Sequence, residues 1–241
     1  MLRPIRLNRE LLALAAAWSV VVELAIAGSL LMLAIVRWAP PEDLPWTPLT
    51  LDQPAGLATG FKLSLAGAEP GRCKAILAQG QVKLTEAPDR SVGRCELSNT
   101  LRLHGQAPAL SPAAPVMSCQ QALAYSLWIR HAVEPAARAE LGEPIAQVEH
   151  YGVFSCRNIA GSRWRSQHAE ANAIDIAGFR TASGRRVSVL RDFNDPGPKG
   201  RFLRRVRDGA CPWYTAVLSP DYNAAHKDHL HLDRGPFRAC R

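Results

Sequence analysis

The sequence has one long apolar stretch, no internal repeats and few lysines, 5 against 24 arginines. A single apolar stretch excludes a polytopic membrane protein, and the lack of repeats excludes a solenoid. With 47% hydrophobic and 21% charged residues, the chain is also not disordered. Its net charge of +8 suits anionic surroundings such as cell wall, lipid headgroups or nucleic acid, and composition does not choose among them.

The apolar stretch covers residues 11–36 and is interrupted by Glu23. As a helix it would be about 39 Å long, enough to cross a hydrocarbon core of about 30 Å. We therefore predict a single transmembrane anchor. The alternative is a cleaved signal peptide that ends at the small residues 25–27. Glu23 counts against an anchor, because a carboxylate near the middle of a membrane is costly unless it is paired.

Basic residues flank the stretch unequally and predict its orientation. Because basic residues favour the cytoplasmic side, residues 1–10 are expected in the cytoplasm and the rest in the periplasm or outside the cell. The expected localisation is the inner (cytoplasmic) membrane, crossed once, and the C-terminal part is exported under either interpretation. Three basic residues precede the stretch and one follows it: Arg3, Arg6, Arg9 and Arg37.

The exported part divides at proline-rich segments. Residues 37–59 hold five prolines and predict a tether. Residues 60–116 form a predicted N-terminal extension, and short alternating runs within residues 60–104, such as 81–84 and 100–103, predict strands with turns between them. Residues 117–241 form the predicted main domain.

The main domain begins with a helical pattern from Ser118 to Ala132, which Pro135 should end or kink. After Gly142 the pattern changes to a period of two, typical of strands. Together these elements predict an α+β fold with a small antiparallel sheet and flanking helices. The further elements are strands at residues 145–149, 173–176, 186–190 and 230–232 and a helix at 199–208.

Six cysteines in an exported domain predict three disulfides rather than metal ligands. Cys73 and Cys95 bracket the extension, and we expect them to pair. The other four cysteines then allow three connectivities, among which the sequence does not choose. An oxidising compartment also favours a disulfide over a nucleophilic role for Cys156.

Three of the 7 histidines lie within residues 226–231. On a strand, His229, His231 and Asp233 would share one face while the intervening leucines face the core. That arrangement directs two imidazoles at one ion. Asp233 either orients a histidine or faces solvent at a sheet edge. Because a His-x-His pair is common by chance, it needs a second cluster to carry weight.

His168 and Asp175 provide the second cluster. Asp175 lies between two isoleucines in a run typical of a buried strand. A bare carboxylate there costs several kcal/mol unless it is paired or bound to a metal. Catalytic zinc sites take three protein ligands and leave a fourth position for water. His168, Asp175 and one histidine of the C-terminal pair supply that number.

Three segments carry a resemblance to known families: residues 151–159, 167–177 and 220–233. The His-x6-Asp and later His-x-His pattern resembles that of zinc D-Ala-D-Ala carboxypeptidases and dipeptidases and of penicillin-insensitive murein endopeptidases. The closer resemblance is to the bacterial extensin-like C-terminal domain family and covers about residues 73–240. It implies a D-Ala-D-Ala peptidase-like zinc fold.

The resemblance also implies roles for single residues. His229 would be the catalytic base or would stabilise the transition state, and His226 would be an additional active-site histidine. Arg157 would meet the carboxylate of the substrate, as an arginine does in the dipeptidases. The implied Zn²⁺ ligands are His168, Asp175 and His231.

These assignments predict a zinc metallopeptidase that cleaves amide bonds in peptidoglycan stem peptides or cross-links. Zinc lowers the pKa of its bound water toward about 7, and a histidine that titrates near the same pH takes the proton. The alternative is a cell-envelope binding or scaffolding domain that keeps the fold without turnover. Histidines beside the ligands favour the enzyme, since a structural zinc site tends to be closed by a fourth protein ligand.

Other clusters have structural interpretations. The arginine-rich run 201–207 has an apolar stripe that should face the core, so its arginines are solvated and nucleic acid is not an expected partner. Core packing is expected for Trp164 and Trp213. Three histidines without a metal-spaced partner are expected at the surface or in packing: His104, His131 and His150.

Overall fold

The computed structural model describes residues 9–104 and 108–241. Helix α1 (Arg9–Trp38) comes first, and its segment Leu11–Trp38 is long and apolar enough to cross a membrane. The side chains of that segment are not buried inside the protein. The orientation of α1 and its retention stay predictions, and most of the predicted cytoplasmic N-terminus lies outside the described residues.

The predicted tether is packed against the domain over part of its length. It contains a short 3-10 turn at Pro41–Asp43. Three of its leucines are buried, and two of them belong to the main hydrophobic core. The buried leucines are Leu44, Leu49 and Leu51.

Two helices occupy the start of the extension, where the alternating pattern predicts strands. They are α2 (Thr59–Ala68) and α3 (Pro70–Gln79). Leu63 and Ala66 are buried at helical spacing in α2. Pro70 lies in the first turn of α3, where a backbone N–H has no helical partner in any case. The strand prediction for this part of the chain is therefore wrong.

Short strands follow. β1, β4 and β6 form an antiparallel sheet, and β2 pairs with β3. The predicted strand at 100–103 is confirmed, whereas only the last residue of 81–84 is in a strand. Gln81 has a φ of 60°, so the chain turns there in the left-handed region. The strands are β1 (Leu84–Glu86), β2 (Arg90–Val92), β3 (Cys95–Leu97), β4 (Thr100–Leu103), β5 (Ala109–Ser111) and β6 (Val116–Ser118).

Helix α4 (Cys119–Trp128) begins where expected and continues through a π-helical turn (Ile129–Val133) into α5 (Glu134–Leu141). The helical path does not end at Pro135, which lies in the first turn of α5. Proline has no N–H to donate to the carbonyl four residues earlier, and the helix widens just before it. Gly142, with a φ of 73°, ends the helix in the left-handed conformation.

The main sheet is larger than predicted and is mixed. Within the described residues it has seven strands in the order β12-β10-β11-β8-β7-β5, with β9 paired to β8. Most neighbours are antiparallel, but β5 and β7 are parallel, as are β10 and β12. The strands not yet given are β7 (Ile145–Gly152), β8 (Ala173–Thr181), β9 (Arg186–Ser188), β10 (Ala216–Leu218), β11 (Leu230–Asp233) and β12 (Ala239–Cys240).

The core lies between this sheet and the helices, which include α6 (Val189–Asp192) and α7 (Pro198–Asp208). The ring of Phe179 on β8 lies 6.1 Å from that of Trp128 and 5.0 Å from that of Phe202. The predicted helix and its buried apolar stripe are confirmed in α7, but of the four arginines in the run 201–207 only Arg201 and Arg205 are exposed, and Arg204 and Arg207 are partly buried. The coarse α+β class is confirmed as well.

The disulfides differ from the expected pairing. Cys73 on α3 bonds to the first residue of α4, and Cys95 on β3 bonds to a loop beyond β7. The predicted Cys73–Cys95 bond is therefore wrong. Cys156 is in a disulfide, which agrees with the structural interpretation of that residue. The pairs are Cys73–Cys119, Cys95–Cys156 and Cys211–Cys240.

Candidate metal centre

Two neighbouring strands place a carboxylate and an imidazole side by side. β8 and β11 are antiparallel, and their register sets Asp175 opposite His231. The residues on either side of each are fully buried, so Asp175 and His231 project from the opposite face of the sheet. The predicted alternation, with Leu230 and Leu232 toward the core, is confirmed.

A short 3-10 turn (Gln167–Glu170) before β8 supplies His168. This side chain is almost completely buried. Its Nδ1 lies 2.9 Å from the carbonyl oxygen of Val153, so Nδ1 carries the proton and donates it. Its Nε2 faces Asp175 and His231. The backbone carbonyl of His168 also accepts from Ser155 at 3.0 Å, which joins the turn to the loop after β7.

One nitrogen of each histidine converges with the two carboxylate oxygens of Asp175, and one ligand atom from each residue lies within 4.8 Å of the others. His168 Nε2 lies 3.1 Å from Asp175 Oδ2 and 3.3 Å from His231 Nδ1, and His231 Nδ1 lies 2.9 Å from Asp175 Oδ1. In a tetrahedral zinc site with bonds of about 2.0–2.1 Å, neighbouring ligand atoms are about 3.3 Å apart. Two imidazole nitrogens and one carboxylate oxygen are a donor set that zinc prefers. The residues therefore fit a zinc ion.

Asp233 supports this cluster from behind. Its Oδ2 accepts from His231 Nε2 at 2.9 Å, and its Oδ1 accepts from the Gly235 backbone N–H at 2.8 Å. Asp233 is only 7% exposed, so of the two interpretations the orienting one is correct and the solvent-facing one is wrong. A carboxylate on the far nitrogen of a ligand histidine fixes the ring and its tautomer.

The two other predicted histidines lie beside the cluster. His229 Nε2 is 3.6 Å from Asp175 Oδ1, and its Nδ1 is 2.9 Å from Asp228 Oδ1. The His226 ring lies 5.1 Å from that of His229, and its Nδ1 is 2.7 Å from Asn223 Oδ1. The sequence reasoning missed Asp228 as a partner, although a carboxylate directly before His229 was a signal.

Arg157 is not brought into the cluster. It lies exposed in the loop after β7, and within residues 9–104 and 108–241 its side chain makes no hydrogen bond or ion pair. Arg165 of the same loop is also exposed, but it donates to Cys95 Sγ at 3.0 Å and to the Arg94 carbonyl at 2.8 Å. The predicted role of Arg157 with substrate stays a prediction.

Comparison with known protein families shows to which family the chain belongs. The profile of the family described as "Extensin-like protein C-terminus" matches residues 71–241. The chain belongs to this family. No curated protein and no solved structure matches the chain. The match begins in α3 and includes the whole cluster of the extensin-like domain.

Electrostatics in the extensin-like domain suit a site for a cation. Burial alone would raise the pKa of Asp175, but hydrogen bonds from His168 and His231 hold it well below its ordinary value. Burial alone would lower the pKa of His231, but bonds to the carboxylates of Asp175 and Asp233 raise it to about 9. Burial, together with neighbouring histidines, lowers the pKa of His226 to about 4. Asp175 is thus held ionised, and in the metal-free cluster the protonated His231 balances its charge, a place that a metal ion would take.

Residues outside the cluster follow the structural predictions with one exception. Trp213 is buried in the core as expected, but Trp164 is 69% exposed in the loop after β7, so its predicted packing is wrong. The polar contacts of His104 and His131 lie outside the cluster, whereas His150, on the strand next to β8, is close enough to Asp175 that this carboxylate partly offsets the lowering of its pKa by burial. His104 contacts the hydroxyl of Thr85, His131 contacts the backbone carbonyl of Leu51, and His150 contacts the backbone carbonyl of Pro112.

Proposed function

We propose that this extensin-like domain is a zinc metallopeptidase that hydrolyses amide bonds in peptidoglycan stem peptides or cross-links. The observation that carries the proposal is the triangle of His168 Nε2, Asp175 and His231 Nδ1, with sides of 2.9–3.3 Å. A structural zinc site would need a fourth protein ligand. Two further histidines, His226 and His229, lie beside this triangle. Histidines next to three ligands are better suited to catalysis than to completing a structural site.

The three residues of the triangle would hold the ion. When bound, zinc supplies a water whose pKa is lowered to about 7 and polarises the scissile carbonyl. Val153 and Asp233 keep His168 and His231 in the tautomers that present an unprotonated nitrogen to the ion.

His229 is the general base in this proposal. Its Nδ1 donates to Asp228, which leaves Nε2 free on the side of Asp175. Nε2 takes a proton from the attacking water and returns it to the leaving amine. The carboxylate of Asp228 orients the ring, as an aspartate does for the base of a serine protease. His226 lies next to His229 at the edge of the cluster. Its Nδ1 donates to Asn223 Oδ1 and its pKa is lowered to about 4, so its unprotonated Nε2 can accept a hydrogen bond from substrate.

The substrate class rests on the resemblance to murein peptidases and on the expected export. Three disulfides are typical of an oxidising compartment. Basic residues outnumber acidic ones by 29 to 21, which suits an anionic wall polymer. The anchor would hold the domain near the membrane, where newly made peptidoglycan lies.

Turnover of defined muropeptides tests the proposal. The zinc-loaded full chain in detergent is incubated with pentapeptide and cross-linked muropeptides, and the products are identified by mass spectrometry. We expect hydrolysis that His229→Ala abolishes and that His104→Ala, a change at a histidine outside the cluster, leaves intact. Bound zinc without any product would support the alternative, a wall-binding or scaffolding domain.

A further inference from the structure

Helix α2 has an exposed face without charge. Its one charged residue, Lys62, is buried, whereas Phe61 and Leu65 are exposed. Leu57, one turn earlier, is 92% exposed. These three apolar residues are spaced four apart and so lie along one side of the helix and its entry. Trp46 is also exposed, and the next residue, Thr47, accepts a hydrogen bond from Lys62 at 2.6 Å. We call Leu57, Phe61, Leu65 and Trp46 the α2 face.

Helix α7 of the same chain shows what a water-facing helix looks like here. Its buried side is apolar, and its exposed positions include Arg201, Arg205 and Asp208. A surface helix normally carries charged or polar residues on its outer side. The outer side of α2 has only Ser64 as a polar side chain among its exposed residues. The α2 face is therefore suited to an apolar environment rather than water.

Hydrogen bonds hold the α2 face close to the end of α1. Lys62 Nζ donates to the Pro41 carbonyl at 2.6 Å, and the backbone N–H of Leu57 donates to Asp43 Oδ1 at 2.7 Å. Pro41 comes three residues after Trp38, the last residue of α1. At about 3.6 Å per residue, its Cα lies at most about 11 Å from that of Trp38. The α2 face thus starts next to the candidate membrane span.

The end of α1 is expected at the level of the lipid headgroups. The 28 residues of Leu11–Trp38 are apolar enough to span a membrane. As a helix they reach about 42 Å, close to the 40–45 Å thickness of a bilayer with its headgroups. Tryptophan is enriched at this interface, and both Trp38 and Trp46 are exposed.

We propose that the α2 face lies in the headgroup region of the same bilayer that α1 crosses, at the C-terminal end of α1. We choose the bilayer as the partner of this face because the hydrogen bonds to Pro41 and Asp43 hold the face close to the end of α1. Of the nearby charged residues, Lys62 is buried and Asp43 accepts from the backbone of Leu57, while the exposed Glu69 lies just beyond α2 and marks the end of the face. The consequence is a domain held with one fixed side on the membrane, so that the metal centre does not swing on a free tether.

Quenching by lipid tests this proposal without reference to catalysis. A fluorescent amino acid replaces Leu57, Phe61 or Trp46 in the full chain, which is reconstituted in nanodiscs with brominated acyl chains. The matched control is Leu190 on α6, which is 56% exposed. Leu33 in α1 serves as the membrane reference.

We expect probes at 57, 61 and 46 to be quenched at least threefold more than the probe at 190, and the probe at 33 to be quenched most. Equal quenching at 57, 61, 46 and 190 would overturn the proposal, and so would an unquenched probe at 33. A shift in emission at 57 and 61 that depends on protein concentration without lipid quenching would also overturn it, in favour of a second copy of the chain. Positions 46 and 57 lie outside helices. If a label at position 61 disturbs α2, these two positions still test the proposal.

Discussion

The carboxylate behind His231 gives the sharpest prediction, that Asp233→Asn weakens zinc binding. Both oxygens of Asp233 are engaged, one by His231 Nε2 at 2.9 Å and one by the Gly235 N–H at 2.8 Å. Asparagine keeps the shape but has only one acceptor oxygen, so one of the two bonds must be lost. Loss of a partner behind a ligand histidine costs about 10–100-fold in metal affinity, or about 1.4–2.8 kcal/mol. We expect the upper end of that range because Asp233 is buried.

Asp228→Asn is the matched control for this prediction. It is the same chemical change at the carboxylate beside His229, which is not one of the three ligands. We expect zinc affinity near that of the unchanged chain and a reduced rate of peptide hydrolysis. The assay is competition for zinc against a chelating dye at fixed pH, with the full chain in detergent. Unchanged affinity in Asp233→Asn, or equal loss in both variants, would refute the assignment of His231 as a ligand.

Three further predictions concern activity, stability and pH. His229→Ala should keep one zinc per chain and lower kcat by about 100- to 10,000-fold, as measured by muropeptide turnover and elemental analysis; loss of zinc would contradict its role as base. Phe179→Ala should cost about 3–5 kcal/mol in denaturant unfolding, because the ring is fully buried against Trp128; a cost below about 1 kcal/mol would contradict this packing. In the chelator-treated chain, the raised pKa of His231 gives stability that is present below about pH 6.5 and is lost as the pH rises through about 9. Thermal unfolding between these pH values measures this loss, and a chain that grows more stable over the same interval would contradict it.

The cluster was predictable because its elements carry strong local signals. Asp175 stands between two isoleucines and His231 between two leucines, so alternation alone gives the face to which each side chain points. Alternation does not show that the strands of Asp175 and His231 are neighbours, because that pairing joins distant parts of the chain. Only the family resemblance suggested it. Pro135 signalled a disturbance of the helix, but the sequence did not specify that it takes the form of a π-helical turn through which the helix continues.

Other features depend on contacts between distant parts of the chain. The Cys73–Cys119 bond joins α3 to α4, and cysteine spacing carries no information on such pairings. Edge strands of two or three residues, such as Ala239–Cys240, are too short to show a period, so the mixed sheet was not foreseen. Arg157 was assigned by resemblance, and no periodicity constrains the loop in which it lies.

X-ray absorption at the zinc edge tests the central claim most directly. On the full chain loaded with one zinc, the account predicts a first shell of nitrogen and oxygen atoms at about 2.0–2.2 Å, with two imidazoles, and no sulfur. Asp175→Ala should lose the ion, whereas Asp221→Asn, a change at an exposed aspartate paired with Arg207, should leave the shell unchanged. A shell that contains sulfur at about 2.3 Å, or a chain that takes up no zinc, would contradict a metal centre built from His168, Asp175 and His231.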